Sequence, residues 1–242
     1  MKPKSNLLRV LYVLRDLRSH KLYRALHEHC HGEVLDVGGW DFFVGAADKG
    51  VSFMRWTTLE QDKERLLETD DPRVTVSYGD GCAMGFPDAS FDTVLSVQVL
   101  EHVFDPIRMV AEVGRVLKPG GKAVFLIPCT STMHLAPNYY SNFSRYWIQE
   151  ALRRANLEIL ELTELGGVWS TFASRAFYFF VQATRCEGMS DPAIRRNALF
   201  WVLLPFQMLF ALFLIPVAML FSLGDLGEEP NNHLVVARRR ER

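Results

Sequence analysis

Four groups of acids and glycines follow one another along this chain, each beside a short apolar run: Asp36-Val37-Gly38-Gly39, then Glu60, then Gly79-Asp80-Gly81-Cys82, then Lys118-Pro119-Gly120-Gly121. A carboxylate accepts two hydrogen bonds at once, so Glu60, 24 positions after Asp36, could hold both hydroxyls of a ribose. Asp80 could accept from the amino group of an adenine. Glycines 38 and 39 allow backbone to turn sharply and approach a ligand closely. Together these residue types describe recognition of a nucleoside.

The elements that would carry them alternate. Glu33–Val37, Val51–Leu59, Arg73–Tyr78, Phe91–Val97 and Lys122–Ile127 read as strands. Pro106–Leu117 has helical periodicity and stops at Lys118-Pro119-Gly120-Gly121, a strong terminator. Strands separated by helices predict a doubly wound, mostly parallel sheet with helices on both faces. In such sheets ligands bind beyond the C-terminal strand ends, where the first three groups fall; the fourth comes before the fifth strand. A polar, aromatic loop from Pro128 to Tyr146 and a helix over Trp147–Ala155 come next. Leu157–Leu162 and Ser174–Thr184 read as further strands, and His233–Arg238 as the last.

The segments VLDVGG (34–39), TTLEQD (57–62), GDGCAMGFPDASFDTVLSVQVLEHV (79–103) and LKPGGKAVFLIP (117–128) resemble the class I S-adenosylmethionine-dependent methyltransferases, and within them the type 11 group. The resemblance spans roughly residues 30–185 and the final strand. It implies a seven-stranded Rossmann-like sheet whose last strand is antiparallel and inserted beside the fifth, with S-adenosylmethionine as cofactor. It further implies that Asp36, Gly38 and Gly39 border the methionine and ribose, that Glu60 binds the ribose hydroxyls, and that Asp80, Gly81 and Cys82 border the adenine. Gln98 would lie near the methionine end. The chain departs from the family at Trp40 and Phe42, where glycines are usual. Bulky residues there raise the alternative of a degenerate binding or assembly protein on the same scaffold. A nicotinamide-binding turn is a poorer match, since no third glycine follows Gly38 and Gly39 before Gly45.

Methyl transfer to a hydroxyl benefits from a positioned acceptor and a nearby base. His134, in the loop after the fifth strand, is the first candidate base, and His102 the second; Tyr139 and Tyr140 are candidates for the acceptor pocket. The loop's order of His, Pro, Tyr and Phe-Ser, with Gly166-Gly167-Val168-Trp169, resembles type 11 members associated with glycan and lipopolysaccharide biosynthesis. Relatives that methylate quinone precursors carry an extra acid near the turn after the fourth strand and use a metal. Gln98 stands there in this chain, so no metal is expected. A quinone or lipid acceptor remains an alternative.

The net charge is −1, which gives no case for nucleic acid as a main partner, and none is expected. Residues 1–24 nonetheless hold seven basic side chains against Asp16 alone. Leucines 7, 8, 11, 14 and 17 recur at helical spacing there, predicting a basic amphipathic helix over 5–28 that either packs on the domain or lies on an anionic membrane. No uninterrupted apolar run precedes a small-residue cleavage site, so this stretch is not read as a secretory leader. The four cysteines show no CxxC spacing, as in a reducing compartment.

From Asn197 to Gly224 no residue is charged, and over Ala198–Leu223 only Gln207 and Ser222 are polar. A continuous helix of that length would reach ~39 Å, beyond the ~30 Å of a bilayer core. Pro205 and Pro216 predict a break, giving a re-entrant or monotopic membrane hairpin of two halves, flanked by Arg195, Arg196 and Arg238–Arg240. The expected organisation is an N-terminal helix over 1–29, a methyltransferase domain over 30–190 plus 231–242, and a membrane-associated insertion over 191–230. The expected partners are membrane lipid through residues 198–223 and a small-molecule, glycan or lipid-linked acceptor, at the cytoplasmic face of a membrane.

Overall fold

The computed structural model describes residues 19–183 and 196–241. Seven strands form one sheet: β1 (Glu33–Val37), β2 (Arg55–Glu60), β3 (Val74–Tyr78), β4 (Phe91–Val97), β5 (Leu117–Pro128), β6 (Leu157–Leu165) and β7 (Asn232–Arg239), in the order β3-β2-β1-β4-β5-β7-β6. β1 to β5 are mutually parallel, and β7 is antiparallel to both β5 and β6. This is the doubly wound sheet with an inserted antiparallel last strand that the motifs predict.

Period-two alternation sorts the strand residues onto two faces. Leu35, Val37, Ala123 and Phe125 pack on one side with α3 (Pro106–Val116) and α4 (Arg145–Arg154). Val34, Trp56, Leu95 and Val124 pack on the other with α1 (residues 19–29) and α2 (Phe42–Asp48). Leu22, Ala25 and Leu26 are buried in that second core, so the described part of the N-terminal helix packs on the sheet. Its more basic portion, 5–18, lies outside the described residues.

The Lys118-Pro119-Gly120-Gly121 turn lies within β5. Phe91 pairs with Leu117 and Thr93 with Lys122, so the four residues bulge out of the ladder. Gly120 takes φ +78°, and the Lys118 ammonium clamps the bulge to Asp92 at 2.8 and 2.9 Å.

Three expectations are corrected. Ser174–Thr184 is not a strand: Val168–Gln182 is a helix, α5, and the strand beside β7 is Leu157–Leu165. Phe177, Tyr178, Phe179, Phe180 and Val181 have high strand propensity, but Ser170, Ser174 and Tyr178 recur every four residues and mark a helical polar face. Second, Pro205 and Pro216 do not break the apolar segment: α6 (Ala198–Phe221) runs through both as one helix and packs along α5. The hairpin is α5 with α6, not two halves of α6. Third, Arg238 and Arg239 do not flank α6 in space. β7 leaves the hairpin at Asn232 and carries them ~23 Å along the sheet, where Arg238 pairs with Glu158 and Arg239 donates to the carbonyls of Arg115 and Leu117.

The hairpin's base is tied closely to the sheet. Leu165 pairs with Asn232, so the chain departs and returns at one point of the C-terminal edge. Asp225, past the end of α6, accepts from the backbone N–H of Trp169 and Ser170 at 2.8 and 2.9 Å and from the Ser170 hydroxyl. It thus supplies the α5 cap that Gly167 cannot. Burial alone would raise the Asp225 carboxyl, but the bonds from Ser170, Trp169 and Leu226 outweigh it and hold it below its ordinary value. This stabilisation is complete above the ordinary carboxylate range and is lost as pH falls through the lowered folded value. Asp225→Ala should cost about 1 kcal/mol, as for loss of a helix cap. Amide exchange at Trp169 and Ser170 should speed up before that of β4 or β5. Unchanged protection at those two amides would show that the cap does not hold the hairpin.

Candidate active site

β1 delivers Asp36 and the Gly38-Gly39 turn to the C-terminal edge. Asp36 is fully buried, and neither carboxylate oxygen has a hydrogen-bond partner. Burial, reinforced by the charge of Glu60 and opposed by the nearby Trp56 indole, pushes its carboxyl from 3.8 to about 8. Gly39 lies directly over it: a Cβ there would sit 1.8 Å from Asp36 Oδ2, so only glycine fits. Gly38 has φ +70°, and a Cβ on it would meet Val99 at 2.8 Å.

Asp36, Trp56, Thr58 and Glu60 share one face of β1 and β2, and each has a buried polar atom without a partner. Glu60 Oε1 accepts from the N–H groups of Gln61 and Asp62 at 3.0 and 3.2 Å, while Oε2 accepts nothing. After β3, Asp80 is exposed and turns one oxygen to the Cys82 N–H at 2.8 Å. The loop that follows is held by Arg115, which donates to the carbonyls of Met84 and Phe86 and pairs with Asp88 and Glu112. Asp36, Gly38, Gly39, Glu60, Asp80, Gly81 and Cys82 therefore lie along one edge, as the sequence predicts.

The two bulky residues part company. Phe42 turns inward beside Tyr23 and Trp56, in the core and away from the edge. Trp40 is 45% exposed and adopts φ +45°, a left-handed conformation that costs glycine nothing and other residues roughly 1–2 kcal/mol. The Arg65 guanidinium lies 5.5 Å from its ring centre, linking the turn after β1 to the turn after β2.

Gln98 takes φ +57° at the end of β4 and donates through Nε2 to Asn232 Oδ1 at 2.7 Å. It belongs to an open cleft of ≈ 380 Å³ formed with Thr130, Ser131, Thr132, Asn231, Asn232 and, from α5, Ser174, Arg175 and Tyr178. Gln98 thus joins the cofactor edge to this cleft. The α5 residues were not legible while the segment was read as a strand; the four-residue polar spacing was the signal that could have found them.

Beside the cleft, His102 and His134 come together at 4.8 Å between ring centres, with Tyr139 at 5.0 Å from His134. Glu101 lies beneath, fully buried, with both oxygens unpartnered. Burial raises its carboxyl to about 7. Burial, together with His134, lowers His102 despite its bond to Asn138. Tyr139 donates to the Ser131 carbonyl and to Asn142, bracing the cleft wall, while Tyr140 points toward Phe104.

Comparison with known proteins fits this arrangement. The methyltransferase domain family matches residues 46–125. The probable S-adenosylmethionine-dependent methyltransferase of Mycolicibacterium smegmatis is 30% identical over 156 residues, 61% of this chain and 55% of that protein. The 2-methyl-6-phytyl-1,4-hydroquinone methyltransferase of Synechocystis is 39% identical over 93 residues, 36% of this chain and 29% of that one. This chain thus spans about half or less of the curated relatives it matches. The structure of an S-adenosylmethionine-dependent methyltransferase from Mesorhizobium loti shares the fold, with a TM-score of 0.57 at 17% identity over 92% of this chain and 98% of that one. The sheet order, together with the match over residues 46–125, supports a class I S-adenosylmethionine-dependent methyltransferase. The residues present fit that cofactor: Asp36 and Glu60 keep unpartnered oxygens beside a glycine turn with no room for a Cβ, at the edge where open α/β sheets bind ligands.

The Asp36 environment sets a pH dependence. Between 3.8 and about 8 the folded protein keeps a proton that the unfolded chain has released, so stability falls as pH rises through that window. Asp36→Asn cannot ionise and lacks this slope. In thermal unfolding of cofactor-free protein, the wild-type midpoint should drop relative to the variant from pH 5 to pH 8. Parallel profiles would mean that Asp36 is ionised and solvated.

Proposed function

We propose that this protein transfers the methyl group of S-adenosylmethionine to an oxygen of a glycan or lipid-linked acceptor at the cytoplasmic face of a membrane. The observation that carries the reading is the position of the polar cleft. It shares α5 with an apolar hairpin, and both stand on the cofactor edge of the sheet. In an 18-residue apolar window of Ala198–Gly224 only 11% is buried. Trp201, Phe206, Leu209, Phe210 and Phe213 are all exposed, an apolar surface far beyond what isolated surface side chains explain. A core helix of a soluble protein would be covered. Because 166–231 leaves and returns at the Leu165–Asn232 pair, the domain stays on one side of the bilayer while the hairpin enters it.

S-adenosylmethionine, when bound, supplies an electrophilic methyl group on a sulfonium. The chain's residues do the rest. Glu60 and Asp80 offer free carboxylate oxygens to the nucleoside, and Gln98, fixed by Asn232, stands between the cofactor edge and the acceptor. Thr130, Ser131, Thr132, Ser174 and Asn231 present the hydroxyls and amides that recognise a sugar. Arg175, exposed in the same cleft, suits a phosphate or carboxylate. His134 and His102 each present an imidazole nitrogen to the proton of an acceptor hydroxyl. The hydroquinone named for the Synechocystis relative keeps a quinone acceptor in view, but a flat apolar ring would leave this polar lining unpaired.

Two experiments test the reading. Calorimetric titration of detergent-solubilised protein should show one S-adenosylmethionine or S-adenosylhomocysteine site, weakened roughly 10- to 100-fold by Glu60→Ala, as for loss of hydrogen bonds to a charged group. No binding to folded wild type would overturn the enzyme reading and favour the scaffold alternative. In flotation with liposomes containing anionic lipid, the full chain should rise with the vesicles, and a Phe206→Ser, Phe210→Ser, Phe213→Ser variant should remain below. A wild type that stays below as a discrete oligomer would mean that the apolar face meets another protein.

A further inference from the structure

Both histidines beside the cleft have one nitrogen already committed. His102 Nδ1 lies 2.5 Å from the Asn138 carbonyl oxygen, and His134 Nδ1 lies 2.8 Å from the Thr132 carbonyl oxygen. A carbonyl oxygen only accepts, so each Nδ1 carries the hydrogen. In the neutral ring each Nε2 is then a bare lone pair. One ring nitrogen of each histidine and a Glu101 oxygen all lie within 4.8 Å of one another, and His102 Nε2 stands 4.0 Å from Glu101 Oε1. Glu101 has no exposed surface and no hydrogen-bond partner for either oxygen.

This is the arrangement of a metal site's ligands with their supporting groups. Ligating histidines characteristically donate their other ring nitrogen to a backbone carbonyl or carboxylate, which fixes tautomer and orientation. A buried, unpartnered carboxylate beside two imidazole lone pairs has no protein donor to satisfy it; a cation does so. We propose that Glu101, His102 and His134 bind one divalent transition-metal ion of the zinc class at the wall of the acceptor cleft. Two imidazoles and one carboxylate suit such an ion and leave coordination positions open. Ligand atoms around a tetrahedral ion at ~2.1 Å are ~3.4 Å apart, so the cluster must close by roughly 1 Å. The half-buried loop carrying His134 is the part able to move.

The expectation of no metal rested on Gln98 alone, which the structure commits to Asn232 instead. The ligands come from the turn after β4 and the loop after β5, which meet only in the fold. Ion binding itself does not depend on the methyltransferase reading. The ion's role does: held at the Ser131-Thr132 wall, its open positions would take an acceptor oxygen. The two Nε2 atoms then act as ligands, which replaces the base role given them above.

The test uses full-length protein in detergent, stripped with a chelator and titrated with Co²⁺ while its visible absorption is followed, then displaced with Zn²⁺. One equivalent should bind with the ligand-field bands of a four- or five-coordinate nitrogen–oxygen site. His134→Ala, on a loop peripheral to the core, should weaken uptake at least 10-fold while S-adenosylmethionine binding by calorimetry is kept. Glu101→Gln should do the same; if it does not fold, the His134 variant decides. Folded wild type that takes up no ion, or uptake unchanged by His134→Ala, overturns the proposal. Ion binding without cofactor binding would leave the site standing and remove the methyltransferase reading alone.

Discussion

The pairing of β7 between β5 and β6 is the constraint on which the rest of this molecule depends. Because β7 runs antiparallel, it must begin at the edge where β5 and β6 end. The chain therefore leaves that edge after Leu165 and returns to it at Asn232, the two residues paired opposite each other. Had the last strand been parallel, α6 would have returned to the opposite edge, and the apolar helix would lie a full strand length from the cleft. The antiparallel insertion puts an apolar surface and a polar binding site on two sides of the same helix, α5. It also moves Arg238 and Arg239 to the far edge, where they serve the sheet.

Acids held without partners are the second feature of that edge. Asp36, Glu60 and Glu101 each have at least one buried oxygen with no donor, and an unpaired buried carboxylate is costly. Asp36 and Glu101 answer that cost by keeping their protons toward neutrality, and the glycine turn over Asp36 leaves no room for a side chain to supply a bond. A fold that only had to be stable would replace such groups with apolar ones. Their concentration along one edge, while Glu150 of α4 and Glu158 and Glu164 of β6 are partly exposed and paired with arginines, is what a site waiting for ligands produces.

The first half of the chain was legible in its sequence because its rules are local. β1 and β3 are short runs ended by glycine, β2 ends at an acid, Pro106 opens α3, and each candidate cofactor residue sits at a strand end fixed by that pattern. The second half followed tertiary rules. Aromatic residues of strand type became α5 because α6 covers one of its sides and Asp225, 56 residues beyond Trp169, caps its start. Pro205 and Pro216 stayed inside α6, although each removes a backbone bond. Trp40 read as an obstruction from its size alone; its left-handed backbone and the stacking of Arg65 turn it toward solvent. The Glu101–His102–His134 cluster could not be read at all, since His134 is 32 residues from its partners along the chain and its tautomer depends on a carbonyl contact.

The cleft and the hairpin constrain the acceptor together more narrowly than either does alone. A wholly apolar acceptor would bury the amide of Asn231 and the guanidinium of Arg175 without partners, at a cost of roughly 1–3 kcal/mol each. A wholly soluble acceptor would gain nothing from the apolar hairpin whose α5 also walls the cleft. A molecule with a polar, anionic head on an apolar anchor satisfies both surfaces. α5 carries Ser174, Arg175 and Tyr178 toward the cleft and Phe172 and Phe177 to the outside, so under the proposed membrane reading the depth of the hairpin would set how far above the lipid the cleft opens. On the proposed reading, anchoring and acceptor selection would be two consequences of one helix.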